Sequence, residues 1–344
     1  MFERGIFGAQ KLTRRILNRL SPGALILMYH RVCEETFDPW SMCVTPLNFA
    51  DHLYLLHKFC VPIQLREIIE YKAASKFLKK AIAVTFDDGY VDNLLKAKPL
   101  LEKNDIPASV FVTSGVIGEN KEFWWDVLGR LFLQPGALPQ NLEISINNKL
   151  YRWTLGTTAY YSKNAYKKYR SWKISEKPPS ARQSLYRTLW ELMNKLKPLE
   201  RDKLIEELII WANSETHCTP THRTLNANEL FNLHKDGLIE IGSHAVTHNS
   251  LPLLPMDLQK HEIQYSKTQL EEIIGDHVIS FSYPHGKFSN HTVDFVERAG
   301  YKCACSVTPG SVNRYANPFK LPRLHVRNWN AQQFSKFLLS WLHN

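Results

Sequence analysis

Two adjacent carboxylates, Asp87 and Asp88, end the apolar run Ala83-Val84-Thr85-Phe86 and are followed directly by Gly89-Tyr90. Such a pair is costly to hold at a strand end unless a cation or a bound proton relieves the repulsion. One carboxylate then suits a metal ion and its neighbour suits a base; a polar strand-to-helix turn is the alternative. A second cluster is Ser243-His244-Ala245-Val246-Thr247-His248. Residues four apart on one turn of helix share a face, and two imidazoles so placed suit zinc or a similar divalent ion. The histidines follow apolar Leu238, Ile239 and Ile241, so both clusters fall at strand C-termini, where active sites of α/β sheets and barrels gather. One carboxylate with two histidines leaves positions open to water and substrate, as a catalytic centre requires.

Elements able to position these groups recur along the chain. Buried strands are expected at 24–29, 81–86, 108–113, 239–242, 278–283 and 303–307, with helices at 45–59, 65–77 and through Leu94 to Leu101 between the early ones. That alternation favours parallel β/α architecture. From about 121 to 225 it lapses into a Trp-, Tyr-, Lys- and Leu-rich stretch, read as a mainly helical insertion with a short hairpin at Asn147-Asn148. Phe123-Trp124-Trp125 opens it, either as helix-packing core or as faces for a sugar ring.

The 344 residues are 44% hydrophobic and 22% charged, the composition of a globular protein. No stretch approaches the ~18 apolar residues of a membrane span. Six scattered cysteines form no disulfide or metal framework, which points to a reducing compartment. The formal charge of +10 permits an anionic partner, but no nucleic-acid-binding module is present and nucleic acid is not an expected partner. Residues 6–20 place Phe7, Leu12, Ile16, Leu17 and Leu20 on a helical period among Lys11, Arg14, Arg15 and Arg19. This pattern predicts a basic amphipathic helix, docked on its own domain or lying on an anionic membrane. With no secretory signal at the start, the expected location is the cytoplasm or the inner membrane face.

Thr85-Phe86-Asp87-Asp88-Gly89 followed some 150 residues later by Ser243-His244-(three residues)-His248 resembles the polysaccharide deacetylase family, also called the NodB-homology or carbohydrate esterase family 4. The resemblance implies an α/β fold, a distorted (β/α) barrel; joined to the elements read above, it gives a barrel over 22–120 and 226–344, the basic helix at 1–21 and the insertion at 121–225. By motif position Asp87 resembles the catalytic base, and Asp88, His244 and His248 resemble the metal ligands. Zn2+ is the default ion; Co2+, Ni2+, Fe2+ and Mn2+ suit the same donors. The family's Arg-x-Pro-x-Gly motif stands here as Ser282-Tyr283-Pro284-His285-Gly286, with serine where an arginine often orients the base. Arg323, in Leu321-Pro322-Arg323-Leu324-His325, is the candidate substitute, and His325 is the candidate general acid. Tyr283, Pro284, His285 and His30 are candidate substrate contacts.

The implied activity is metal-dependent removal of N- or O-acetyl groups from amino sugars of a bacterial exopolysaccharide or its lipid-linked precursor. Two alternatives stand beside it: a deformylase of a lipid-linked amino sugar, and a catalytically silent glycan-binding or scaffold protein of the same fold. The missing motif arginine favours the silent protein; the retained carboxylate pair opposes it.

Overall fold

The structure is a computed structural model that describes residues 23–34, 37–74, 80–119, 121–214 and 221–342. The expected helix at 6–20 lies outside the described residues. By compactness the chain forms two units, one of residues 1–34, 43–118 and 225–344, the other of 35–42 and 119–224.

The first unit is built on eight parallel strands: β1 (Leu25–Tyr29), β2 (Val61–Pro62), β3 (Ala81–Phe86), β4 (Ala108–Val112), β5 (Ile239–Ser243), β6 (Ser280–Ser282), β7 (Cys303–Cys305) and β8 (Leu324–His325). Their order is β7-β6-β5-β4-β3-β1-β8, with β2 also pairing with β3. Residues 321–325 bring the two edges together. Leu321 donates its N–H to Ala304 O and accepts one from Ser306, while Leu324 and His325 pair with Leu27 and Met28. The strands are parallel, as the alternating pattern predicts, and the sheet is curled on itself, as the family resemblance implies.

Strand residues alternate between two covered faces, which is why the strands read as continuous apolar runs. Leu25, Leu27, Tyr29, Ile82, Val84, Phe86, Val110 and Ile241 pack with the helices, against Phe49, Leu53, Leu101, Ile263 and Phe334. Ile26, Ala81, Ala83, Phe111, Cys303 and Cys305 form the inner cluster. The inner space is tight. A Cβ on Gly242 would collide with the Phe111 ring and sit 2.7 Å from Ser280 Oγ, so only glycine fits there.

Helix Pro46–Phe59 begins as expected, with the Thr45 hydroxyl accepting the Asn48 N–H. The single helix expected through Leu94 to Leu101 is instead a π-turn, Asn93–Ala97, running into an α-helix, Lys98–Asn104. Pro99 has no N–H to return to Leu95, and Lys98 N–H reaches back five residues to Asn93 O. The sixth strand stops at Ser282 rather than Tyr283, ahead of Pro284, which has no N–H to continue the ladder.

Gly118 N–H donates to Leu225 O (3.2 Å), so the first unit's chain leaves and re-enters at neighbouring points. The second unit has helices Trp124–Leu133, Ala181–Met193 and Pro198–Trp211 and a hairpin pairing Asn141–Ile146 with Lys149–Thr154. Asn147 and Asn148 both take positive φ, which an Asn-Asn hairpin turn accommodates. Trp124 and Trp125 are buried in this unit and act as core. Residues 37–42 pack with it as well: Trp40 Nε1 donates to Tyr186 Oη (2.9 Å).

Gly242→Ala is expected to destabilise the protein by about 1–3 kcal/mol through overpacking against Phe111, read as a lower urea midpoint with an unchanged slope.

Candidate active site

Both acidic residues sit just past β3. Asp88 (φ 78) and Gly89 (φ 83) take left-handed backbone, and a Cβ on Gly89 would stand 3.0 Å from Val112 Cγ1. The turn separates the carboxylates, and each finds different partners.

Asp87 meets Arg323. Nη1 donates to Oδ1 and Nη2 to Oδ2, both at 2.7 Å, a two-pronged pair buried from solvent. The remaining guanidinium donors go to Ser306 O (3.0 Å), Thr85 Oγ1 (3.2 Å) and Ser282 Oγ (2.8 Å). Ser282 Oγ also donates to Asp87 Oδ2 (3.3 Å). Serine therefore stands at the motif position while a guanidinium from the segment ahead of β8 reaches the same carboxylate. Burial pushes the Asp87 carboxyl up, but the Arg323 guanidinium, with His244 beside it, outweighs burial and holds it well below the usual range.

Asp88 faces the histidines. Its Oδ1 lies 3.6 Å from His244 Nε2 and 3.3 Å from His248 Nε2, and the three groups offer ligand atoms within 4.8 Å of one another. His244 Nδ1 is 2.7 Å from Ser282 O, which can only accept, so Nδ1 carries the proton and Nε2 turns a lone pair towards Asp88. Burial lowers His244 to about 4 against the pull of Asp87, and burial raises Asp88. Asp88 Oδ2 is buried with no hydrogen-bond partner among the described residues. A neutral imidazole lone pair opposite a buried, under-bonded carboxylate is an arrangement of acceptors that a divalent cation fits.

The two histidines are not on a helix. They occupy the loop after β5, where Ala245 (φ 62) and His248 (φ 56) are left-handed, each at a cost of roughly 1–2 kcal/mol. The helical reading of their spacing is therefore corrected, although the imidazoles still converge, with ring centroids 4.8 Å apart.

His285 (φ 56) places its ring 4.6 Å from that of His248. Tyr283 does not line the site. It is fully buried, packs on Phe281 and Phe288, and donates its hydroxyl to Phe319 O (3.0 Å). Ser282 ends β6 and Tyr283 follows it in extended backbone, so the two side chains point oppositely; with serine turned to Asp87, the tyrosine faces the core. Pro284 is also buried. His30, at the end of β1, and His325, on β8, stack edge to face at 5.7 Å. Asn93 Nδ2 holds the His30 carbonyl (2.9 Å), and burial lowers the His30 pKa while Asp88 and Asp87 pull it up. Sequence reasoning missed Thr85, although its place two residues before Asp87 on a strand puts it on the same face.

The family model for polysaccharide deacetylase matches residues 74–135 and 210–304. That span holds Asp87, Asp88, His244, His248 and residues 282–286; His30, Arg323 and His325 lie outside it. Over these residues, a little under half of the chain, the sequence is similar to the polysaccharide deacetylase family. A curated relative, poly-β-1,6-N-acetyl-D-glucosamine N-deacetylase of Staphylococcus aureus, is 28% identical over 120 residues, covering 31% of this chain and 41% of that protein. The chain matches less than half the length of the curated relatives found. Among solved structures, the Streptococcus pyogenes deacetylase PplD in complex with acetate aligns over 92% of this chain and 99% of its own (TM-score 0.58, 15% identity). IcaB from Ammonifex degensii aligns over 94% and 98% (TM-score 0.57, 16% identity). These likenesses establish the shared fold.

Arg323→Met is expected to cost about 3–5 kcal/mol, because it strands the buried Asp87 charge, whereas Arg323→Lys retains part of the pair. The sign of the acid response follows from the depressed Asp87. Its stabilisation is complete above the unfolded value of about 3.9 and is lost as pH falls towards its folded one. Asp87→Asn should therefore flatten the loss of stability below pH 4, read by urea unfolding at stepped pH.

Proposed function

We propose that this chain is a metal-dependent hydrolase that removes N-acetyl groups from amino sugars of a polysaccharide. The observation that carries the reading is a single pocket of charge in which Arg323 fixes Asp87 beside the Asp88, His244 and His248 donors. Asp88 Oδ1, His244 Nε2 and His248 Nε2 would hold the ion, with zinc the first choice. A divalent ion held there supplies Lewis acidity, polarising the acyl carbonyl and making water a better nucleophile.

The residues themselves do the rest. Arg323 keeps Asp87 ionised and locked in orientation. A carboxylate has about four acceptor sites. Among the described residues, Arg323 takes one on Oδ1, and Arg323 and Ser282 take both on Oδ2, so one on Oδ1 is left for the attacking water's proton. A carboxylate held this low is a weak base, so it takes the proton as the bond to the acyl carbon forms. His244 Nδ1–H, held by Ser282 O, fixes the tautomer that keeps Nε2 available. His325 is assigned the proton for the departing sugar nitrogen, with His30 packed against it. Backbone at His285 is assigned to the developing oxyanion. Acetate and a free amine leave.

The relative that acts on poly-β-1,6-N-acetyl-D-glucosamine supports that polymer as the first substrate to try. No helix among the described residues is long and apolar enough to cross a membrane. The basic, periodic residues 6–20 support action at an anionic inner membrane face on a lipid-linked precursor.

Asp87→Asn is expected to keep one equivalent of Co2+ or Zn2+ while acetate release from N-acetylglucosamine oligomers falls about 10²–10⁴-fold. The double change His244→Ala, His248→Ala should abolish tight metal binding. Full acetate release by the first variant would remove Asp87 as base; release of formate instead of acetate would identify a deformylase.

A further inference from the structure

The metal-donor loop carries two left-handed residues, Ala245 and His248, neither of them glycine. Backbone of that kind persists only where its surroundings over-determine it. Ser114 and Gly115 donate their N–H groups to Ala245 O (3.0 Å) and Val246 O (2.9 Å), and the side-chain restraint comes from one helix, Met256–Ile274. Glu262 Oε2 accepts the N–H groups of Val246 (2.8 Å) and Thr247 (2.9 Å), and Oε1 accepts the Thr247 hydroxyl (2.6 Å). One turn further along the same face, Ser266 donates its hydroxyl to Ala245 O (3.1 Å) and lies 2.8 Å from Ser243 Oγ. Glu262 is 5% exposed, and no Lys, Arg or His pairs with it among the described residues. Its carboxylate is thus committed wholly to the loop between the two histidines.

We infer that Glu262, seconded by Ser266, is a positioning residue for metal binding: it clamps peptide groups 245–247 so that His244 and His248 converge on Asp88. The inference rests on the metal reading given above. A carboxylate is the group that suits the task. Two oxygens accept three donors in a fork, whereas an amide offers one accepting oxygen and would require the Thr247 hydroxyl to turn and accept from its NH2. The neighbouring helical residues Gln259 and Ile263 serve other ends, Gln259 accepting from Thr292 Oγ1 (2.8 Å) and Ile263 packing in the core.

The test is Co2+ titration of the full chain, wild type and variants, followed by visible absorption at a temperature where circular dichroism shows every protein folded. Loss of a partner that orients metal ligands typically weakens affinity 10–100-fold. Glu262→Ala is expected near the upper end of that range and Glu262→Gln near the lower, with the Co2+ spectrum altered in both. Thr247→Val, which removes one bond of three, should show a smaller loss. A merely structural glutamate would lower the melting temperature and leave the Co2+ affinity of folded molecules unchanged, and that result overturns the inference. If Glu262→Ala does not fold, Glu262→Gln and Thr247→Val decide the matter by the same readout. Wild-type protein that fails to bind Co2+ at all would overturn the metal reading and the clamp with it; tight wild-type binding with tight variant binding would overturn the clamp alone.

Discussion

Two buried carboxylates on consecutive residues are held by giving each a separate remedy. Asp87 receives a full positive charge through two short parallel bonds from Arg323. Asp88 is offered no such fork: it faces the Nε2 atoms of His244, which carries a lone pair, and of His248, and one of its oxygens has no donor among the described residues. In a low-dielectric interior an unmatched charge of this kind is expensive, so the Asp88 side draws in a cation or a proton. The asymmetry assigns the roles. One carboxylate is spoken for and stays ionised; the other, on the function proposed above, is the one open to a cation.

That division depends on how the sheet closes. Arg323 approaches Asp87 because residues 321–325 touch β7 on one side and β1 on the other, which brings the guanidinium over the inner face beside Phe111. Small inner residues, Ala81, Ala83, Gly242, Ser280 and Ser282, leave room for it. A buried arginine–carboxylate pair adds little net stability compared with a well-packed apolar core. Its retention is better explained by orientation, because the planar fork permits one carboxylate geometry where an ammonium would permit several.

Much of this was legible from residue order. The strands ending at Phe86 and Ser243 announced themselves as apolar runs stopped by polar groups, and their parallel setting followed from the helices between them. Asp87, Asp88, His244 and His248 were visible as types and spacing. Their local backbone was not: a four-residue interval suggested a helix, yet Ala245 and His248 turn left-handed in a loop whose peptide groups bond to Ser114, Gly115, Glu262 and Ser266, none of them within the motif. The Arg323 contact spans 236 residues, beyond any local pattern. Tyr283 was misread although strand alternation, applied to Ser282, would have turned it to the core. The Asn-Asn hairpin was readable because that turn chemistry is local.

The most direct measurement is a crystal structure of the Zn2+-loaded protein with an anomalous difference map at the zinc edge. The account predicts one peak about 2.0–2.2 Å from Asp88 Oδ1, His244 Nε2 and His248 Nε2, with Asp87 still doubly bonded to Arg323. A peak bound to Asp87 in place of Asp88, or one lying away from the two imidazoles, would contradict it.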